Sequence, residues 1–249
     1  MRSMRVRRPH NQEHKTEKQG EHKYIKKEEV PVVLSTIDEI NVAMTITYPD
    51  IVSKSIAFVN VAHRGLTREY SKIPYVFHLF DVAKHASSYM QPMSLTQEEF
   101  MSACILHDTI EDTNATYDSL VTYFNKKIAD VVLEVSRPKE QGNTFIDKYN
   151  YLKTFYNKSK EAIILKIADR ICNVRDYQQE PSQSWYAMRY ALQAYPVYKA
   201  YANLNKDNTK IFSDIFWIEN LVSLRYNVSV LISSEEEIEK ALGLEKNKE

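Results

Sequence analysis

The chain has 249 residues, with 33 Lys+Arg against 33 Asp+Glu, so its formal net charge is zero. Apolar residues make up 43% and charged residues 27%, the balance of a globular chain able to bury one large core or two small ones. No apolar run approaches the roughly 20 residues that span a bilayer, and no signal-type apolar stretch opens the chain. The expectation is a cytoplasmic protein without a membrane span. Two cysteines, Cys104 and Cys172, cannot build a disulfide framework and read as core thiols within apolar helical patterns. Only four glycines occur (Gly20, Gly65, Gly142, Gly243), which argues against Rossmann or P-loop phosphate cradles and against a turn-rich β protein.

Residues 1–30 hold nine basic and five acidic side chains with almost no apolar periodicity, the pattern of a charged, solvated arm. Its interleaved glutamates break up any basic stripe, which argues against a nucleic-acid partner. His10 and His14 lie four apart without a further ligand, so they read as part of a polar tail. From Ser35 onward, helix follows helix. Start signals recur at Ser35-x-x-Asp38, Ser94-x-x-Gln97, Thr116, Ser159 and Ser184. Between Ser159 and Tyr177, Ile164, Ile167, Ala168, Ile171 and Val174 recur at helical spacing, which predicts a buried stripe. Tyr186–Asn203 and Ile211–Ile232 are predicted as long helices, with the β-branched end of the second also readable as a strand. Lys206–Asn208 forms a polar break between them, and Glu235–Leu244 reads as a short acidic helix. No linker divides residues 35–232. The expected architecture is all-α: one helical domain over 31–203, the arm over 1–30, and a helical extension over 204–249.

The chemistry concentrates in Leu106-His107-Asp108-Thr109-Ile110-Glu111-Asp112. Read as two continuous helical turns, this run puts 107 with 111 and 108 with 112 on shared faces, directly after the apolar Phe100, Ala103, Cys104 and Ile105. Three carboxylates this close repel one another unless a cation neutralises them, so the segment predicts a metal site. Lys166-Ile167-Ala168-Asp169-Arg170-Ile171-Cys172-Asn173 places Asp169 and Asn173 four apart on one face. Two readings of Asp169 stand: a metal ligand beside a ribose-reading amide, or a surface carboxylate paired with Lys166 or Arg170. His78 opens a helix after Pro74-Tyr75-Val76-Phe77 and reads either as a ligand or as a capping or core histidine. Together the segments offer two imidazoles and two carboxylates, a mixed set that suits Mn²⁺ or Fe²⁺ better than a thiolate-rich zinc site.

These residues resemble the HD-domain phosphohydrolases, specifically the hydrolase domain of RelA/SpoT-type alarmone enzymes and their small stand-alone relatives. The match runs through Ala62-His63-Arg64-Gly65, Arg68, Pro74 to His78, Leu106 to Asp112 and Lys166 to Asn173, in order, over roughly residues 55–195. The resemblance implies a single HD-type helical domain with metal ligands at His78, His107, Asp108 and Asp169. It implies Mn²⁺ as the cofactor, with Fe²⁺ as the alternative, and a small guanine nucleotide as the partner. Glu111 and Asp112 match the acidic pair that assists the attacking water, Arg68 the residue that packs on guanine, and Asn173 the one near the ribose. Arg189 falls in a region similar to one that supplies a phosphate-facing arginine in the small relatives, Lys148 lies where those proteins carry basic residues, and His63 is not a ligand in that family. The chain has Leu66, Glu69 and Leu79 where the family usually has glutamine, a basic residue and proline. The implied reaction is hydrolysis of the 3′-pyrophosphate of (p)ppGpp. The rivals are an HD phosphohydrolase acting on another 2′- or 3′-phosphorylated nucleotide, and a non-catalytic nucleotide-binding protein.

Overall fold

The computed structural model describes residues 34–89, 93–204 and 209–244, all within one compact unit, Val32–Glu249. The predicted arm, with His10 and His14, and the polar break at Lys206–Asn208 lie outside the described residues. The fold is all-α. In chain order the helices are α1 (Ile37–Ala43), α2 (Ile51–Ala62), α3 (Val76–Ser87), α4 (Gln97–Leu106), α5 (Thr109–Asp112), α6 (Tyr117–Tyr123) and α7 (Lys126–Val135). They continue with α8 (Phe145–Lys153), α9 (Lys160–Gln178), α10 (Ser184–Gln193), α11 (Tyr195–Leu204), α12 (Thr209–Tyr226) and α13 (Glu235–Leu242). Among the described residues, the one β-type pairing is an isolated bridge between Thr67 and Pro74. No helix among them is long and apolar enough to cross a membrane.

Thr116 and Ser159 cap α6 and α9 as the sequence predicts. The other three starts shift: Ser184 is the first residue of α10, after Gln183, and does not cap it. Thr36 with Glu39 and Thr96 with Glu99 form full capping boxes, one and two residues after the predicted Ser35 and Ser94. Those serines are committed elsewhere: Ser35 donates to the Val61 carbonyl at 2.7 Å, and both Oγ and the backbone N of Ser94 donate to Glu161 at 2.7 Å. The predicted helix over 186–203 is split at Ala194, because Pro196 lacks the N–H that would continue the ladder to the Leu192 carbonyl. The Ile211–Ile232 segment stays helical only to Tyr226. Asn227, at φ 51°, turns the chain, and the β-branched residues beyond it form turns, not a strand.

At the centre lies α9, which packs against α3, α7, α10 and α11. It is buried on every face from Glu161 to Ile171, the mark of a core helix rather than an amphipathic surface one. Its apolar residues Ala162, Ile164, Leu165, Ile167, Ala168, Ile171 and Val174 are fully enclosed. Five polar or charged residues, Glu161, Lys166, Asp169, Arg170 and Asn173, are buried with them. The two cysteines differ: Cys104 is buried in the core as expected, but Cys172 is only partly enclosed and borders a cavity.

The helices after Leu204 belong to the same core. Ile211, Ile215, Ile218 and Val222 recur at i, i+4, i+7 and i+11 along α12 and are fully buried, with α12 against α10. Ile238 and Leu242 of α13 close the cluster, and Gly243, in the left-handed conformation, ends that helix. Fully burying an isoleucine contributes roughly 1.5–3 kcal/mol. Ile218→Ala is therefore expected to cost about 2–5 kcal/mol of unfolding free energy. Urea denaturation checks this: the midpoint falls with the slope unchanged, whereas an unaltered midpoint would mean that α12 unfolds apart from the core.

Candidate active site

Three helical segments meet at one buried point. His78 comes from the first turn of α3, Asp169 from the middle of α9, and His107 and Asp108 from the junction of α4 and α5. That junction departs from the continuous helix read in the sequence. The chain leaves regular helix at Asp108 (φ −95°, ψ 2°), and α5 restarts at Thr109. The bend lets adjacent residues 107 and 108 face the same centre. One potential ligand atom each from His78, His107 and Asp169 lies within 4.8 Å of the other two. His78 Nε2 is 3.4 Å and His107 Nε2 3.9 Å from Asp169 Oδ1. Asp108 Oδ2 approaches His107 Nε2 at 2.9 Å and His78 Nε2 at 3.8 Å.

Both Nε2 atoms are buried and face only the carboxylate oxygens of Asp108 and Asp169, so a proton or a cation has to stand between the two sets. His107 Nδ1 donates to the Cys104 carbonyl at 2.9 Å, so the neutral ring turns its Nε2 lone pair inward, where a cation would take the place of the Nε2 proton. Two such nitrogens facing two carboxylate oxygens form the donor set of a divalent-ion site, and these residues fit it. Asp169 Oδ2 is held by Lys166 at 3.0 Å. Lys166 is one of the two partners the sequence offers Asp169, and the contact leaves Oδ1 for the imidazole side. The Tyr75 hydroxyl donates to Asp108 Oδ2 at 2.7 Å. His63 stacks flat on the Tyr75 ring, apart from the ligand group.

The field at this centre is negative. Burial opposes protonation of His107, yet the Asp108 and Asp169 carboxylates raise it to about 9. Burial lowers His78 instead. Glu111 and Asp112 flank the ligands in a cavity of about 250 Å³, with Lys148, Arg137, Lys166 and Arg170 on its walls. Burial, then the charges of Asp108 and Glu111, push Asp112 up to about 7. Burial also raises Glu111, whose Oε1 accepts the Arg137 backbone N–H at 2.6 Å. A dication among the ligands relieves this mutual repulsion.

Arg68 and Asn173 join the same cavity and Lys148 lines it, but Arg189 does not. Arg189 lies 3.9 Å over the Phe145 ring and 5.6 Å from the Trp185 ring, and its Nη2 donates to the Leu242 carbonyl at 3.4 Å. The i, i+4 spacing of Trp185 and Arg189 carries a signal for that pairing. Glu69 is exposed at the rim, where its charge acts on Lys148, Tyr177 and Tyr186. Sequence reasoning missed the roles of Tyr75, Arg137, Asp176 and the tyrosine wall of Tyr177, Tyr186 and Tyr190. Asp176 alone carried a readable sign, since 169, 173 and 176 share one helical face. Replacing either imidazole, as His78→Ala or His107→Ala, is expected to abolish tight binding of one divalent ion per chain. Calorimetric titration with Mn²⁺ checks this, and wild-type stoichiometry in either variant would move the ion elsewhere.

The HD domain family model matches residues 55–205, which contain every residue of this centre. Guanosine-3′,5′-bis(diphosphate) 3′-pyrophosphohydrolase MESH1 of Xenopus tropicalis is 28% identical over 122 residues, 49% of this chain and 66% of that protein. The bifunctional (p)ppGpp synthase/hydrolase SpoT of Escherichia coli (strain K12) is 32% identical over 119 residues, 46% of this chain but 16% of SpoT. The matched stretch thus spans under two thirds of the frog protein and a small part of SpoT. The solved structure of a metazoan ortholog of SpoT, a protein that hydrolyses ppGpp, superposes with a TM-score of 0.57 at 23% identity. That superposition covers 70% of this chain and 97% of the other, a likeness of fold. With the matched region, the ligand geometry and the all-α architecture in agreement, this chain belongs to the HD domain family.

Proposed function

We infer that this chain hydrolyses the 3′-pyrophosphate of (p)ppGpp, yielding GDP or GTP and pyrophosphate. The observation that carries the reading is one buried centre of two imidazole nitrogens facing two carboxylates, beside an acid pair and a cation-lined cavity. The relatives named as guanosine-3′,5′-bis(diphosphate) 3′-pyrophosphohydrolases supply the substrate class. His78, His107, Asp108 and Asp169 are the proposed ligands of Mn²⁺, with Fe²⁺ as the alternative. When bound, the ion supplies Lewis acidity toward a phosphoryl oxygen and makes water more acidic.

The remaining work belongs to the chain. Glu111 is anchored through Oε1 by the Arg137 backbone, so its other oxygen is free to orient water for attack on the phosphorus nearest the ribose. The bond from that phosphorus to the 3′-oxygen breaks, and the 3′-oxygen takes up a proton. Asp112, raised toward neutrality by its buried and acidic surroundings, is suited to accept the proton that water gives up. Lys148, Arg137 and Arg170 offset the charge of the phosphates. Arg170 Nε and Nη1 have no hydrogen-bond partner, so that guanidinium keeps its capacity for an anion. Asn173 presents its amide beside the ligands as the proposed ribose contact.

A product assay of purified protein with Mn²⁺ against nucleotides bearing 3′-pyrophosphate, 3′-phosphate or 2′-phosphate tests the reading. Release of pyrophosphate from (p)ppGpp is expected, and cleavage confined to the monophosphates would favour the rival nucleotide phosphohydrolase. In the same assay, Glu111→Gln combined with Asp112→Asn is expected to lower kcat by at least about 100-fold while Mn²⁺ stays bound. Unchanged turnover would remove both carboxylates from the proton path. Glu69→Lys is expected to change KM less than about threefold at physiological ionic strength, since an exposed charge is screened beyond roughly 8 Å. A tenfold fall in KM for (p)ppGpp would turn Glu69 into the pocket and favour a substrate with fewer phosphates.

A further inference from the structure

Arg68 stands where two cavities meet. It lines the cavity that holds the acid pair and also a second, of about 630 Å³, between α3 and α9; His78 borders this one too. The segment that carries Arg68 is clipped shut. Gly65, at φ 83°, turns the chain out of α2, and the Arg68 N–H donates to the Ile73 carbonyl while the Tyr75 N–H donates to the Leu66 carbonyl, both at 2.9 Å. The side chain is only 9% exposed. Its edge is fully engaged: Nε and Nη2 donate to Asp176 Oδ2 at 3.0 and 2.8 Å, and Nη2 also donates to Asn173 Oδ1 at 2.7 Å. Asn173 in turn donates through Nδ2 to Asp169 Oδ1, the oxygen that faces the imidazoles.

We propose that Asp176 is a positioning residue that acts through Arg68, holding the guanidinium edge-on so that one face is presented to the nucleobase. The kinetic part rests on the hydrolase reading above. The opposite face is backed by the Tyr75 ring, 5.5 Å from the guanidinium carbon, so hydrogen bonds fix the edge and an aromatic ring supports one side. A guanidinium left free to rotate loses the stacking geometry that makes it selective for a planar base. The same contact sets the Asn173 amide. With its carbonyl oxygen committed to Arg68, its NH₂ group points at Asp169. Asp176 thus organises base recognition from about two turns beyond the proposed metal ligand on α9.

The test uses the full chain with Mn²⁺, comparing Asp176→Ala and the isosteric Asp176→Asn, each also in an Arg68→Ala background. In wild-type Arg68, Asp176→Ala is expected to raise KM for (p)ppGpp about tenfold or more while kcat stays within about threefold. In the Arg68→Ala background, the same change is expected to have no further effect on KM. Equal effects in both backgrounds, or a KM that Asp176→Ala leaves unaltered, would overturn the proposal. An independent readout is the Arg68 Nε–H resonance in ¹H–¹⁵N spectra, assigned by its loss in Arg68→Lys. It is expected to be sharp and protected from water exchange in the wild type, and lost in Asp176→Ala. Asp176→Asn keeps an acceptor of the same shape and is expected to retain a weakened signal, which guards against loss of fold in the alanine variant. A resonance indifferent to Asp176 would overturn the positioning role whatever the activity. If the wild type does not cleave (p)ppGpp but the resonance depends on Asp176, the substrate reading falls and the positioning role stands.

Discussion

Everything at this centre follows from burying charge on the central helix. Along α9, Lys166, Asp169, Arg170 and Asn173 are buried among the isoleucines beside them. A lone ionised carboxylate at such a place is too costly to survive, so Asp169 has to be compensated from several sides. Lys166 takes one oxygen and the Asn173 amide meets the other, which still faces two imidazole nitrogens. The Asp169 carboxylate holds Lys166 charged despite its burial. Charge compensation and ligand placement are the same arrangement, because the groups that make Asp169 tolerable also fix where its inward oxygen points.

Legibility in the sequence tracked how local each determinant is. His78, His107 and Asp108 were visible because they sit at helix ends beside apolar runs, and Asp169 because a charge interrupts an apolar stripe; the all-α fold was visible in helical spacing and the scarcity of glycine. The capping shifts at Thr36 and Thr96 were harder to see, since Ser35 and Ser94 look like equally good caps until their distant partners, Val61 and Glu161, are known. Arg189 shows the same limit. Its charge was readable, but the rings of Phe145 and Trp185 that draw it away from the cavity are set by how α10 packs near α8. Asp176 pairs across 108 residues with Arg68, and only the α2–α3 clip brings the two together. Tyr75 was visible as part of a motif, while its hydrogen bond to Asp108 depended on where α3 meets the end of α4.

The break at His107–Asp108 explains why two adjacent residues can face one centre. In an uninterrupted helix, neighbouring side chains point about 100° apart, so 107 and 108 would diverge. Ending α4 at Leu106 and restarting at Thr109 lets the backbone bend between them, and the Thr113 N–H closes the short α5 on the Thr109 carbonyl. The same bend turns Glu111 and Asp112 toward the cavity, so one departure from helical geometry places two proposed ligands and the proposed acid pair. A helix that continued smoothly would satisfy more backbone hydrogen bonds and would still bury Cys104 and Ile105, yet it would scatter the carboxylates around its circumference. The local loss of regular structure is tolerated because the apolar part of α4 packs against α2, α3 and α7 before the bend is reached. The core therefore anchors the segment on one side, and the buried electrostatics of Asp108 and His107 hold it on the other.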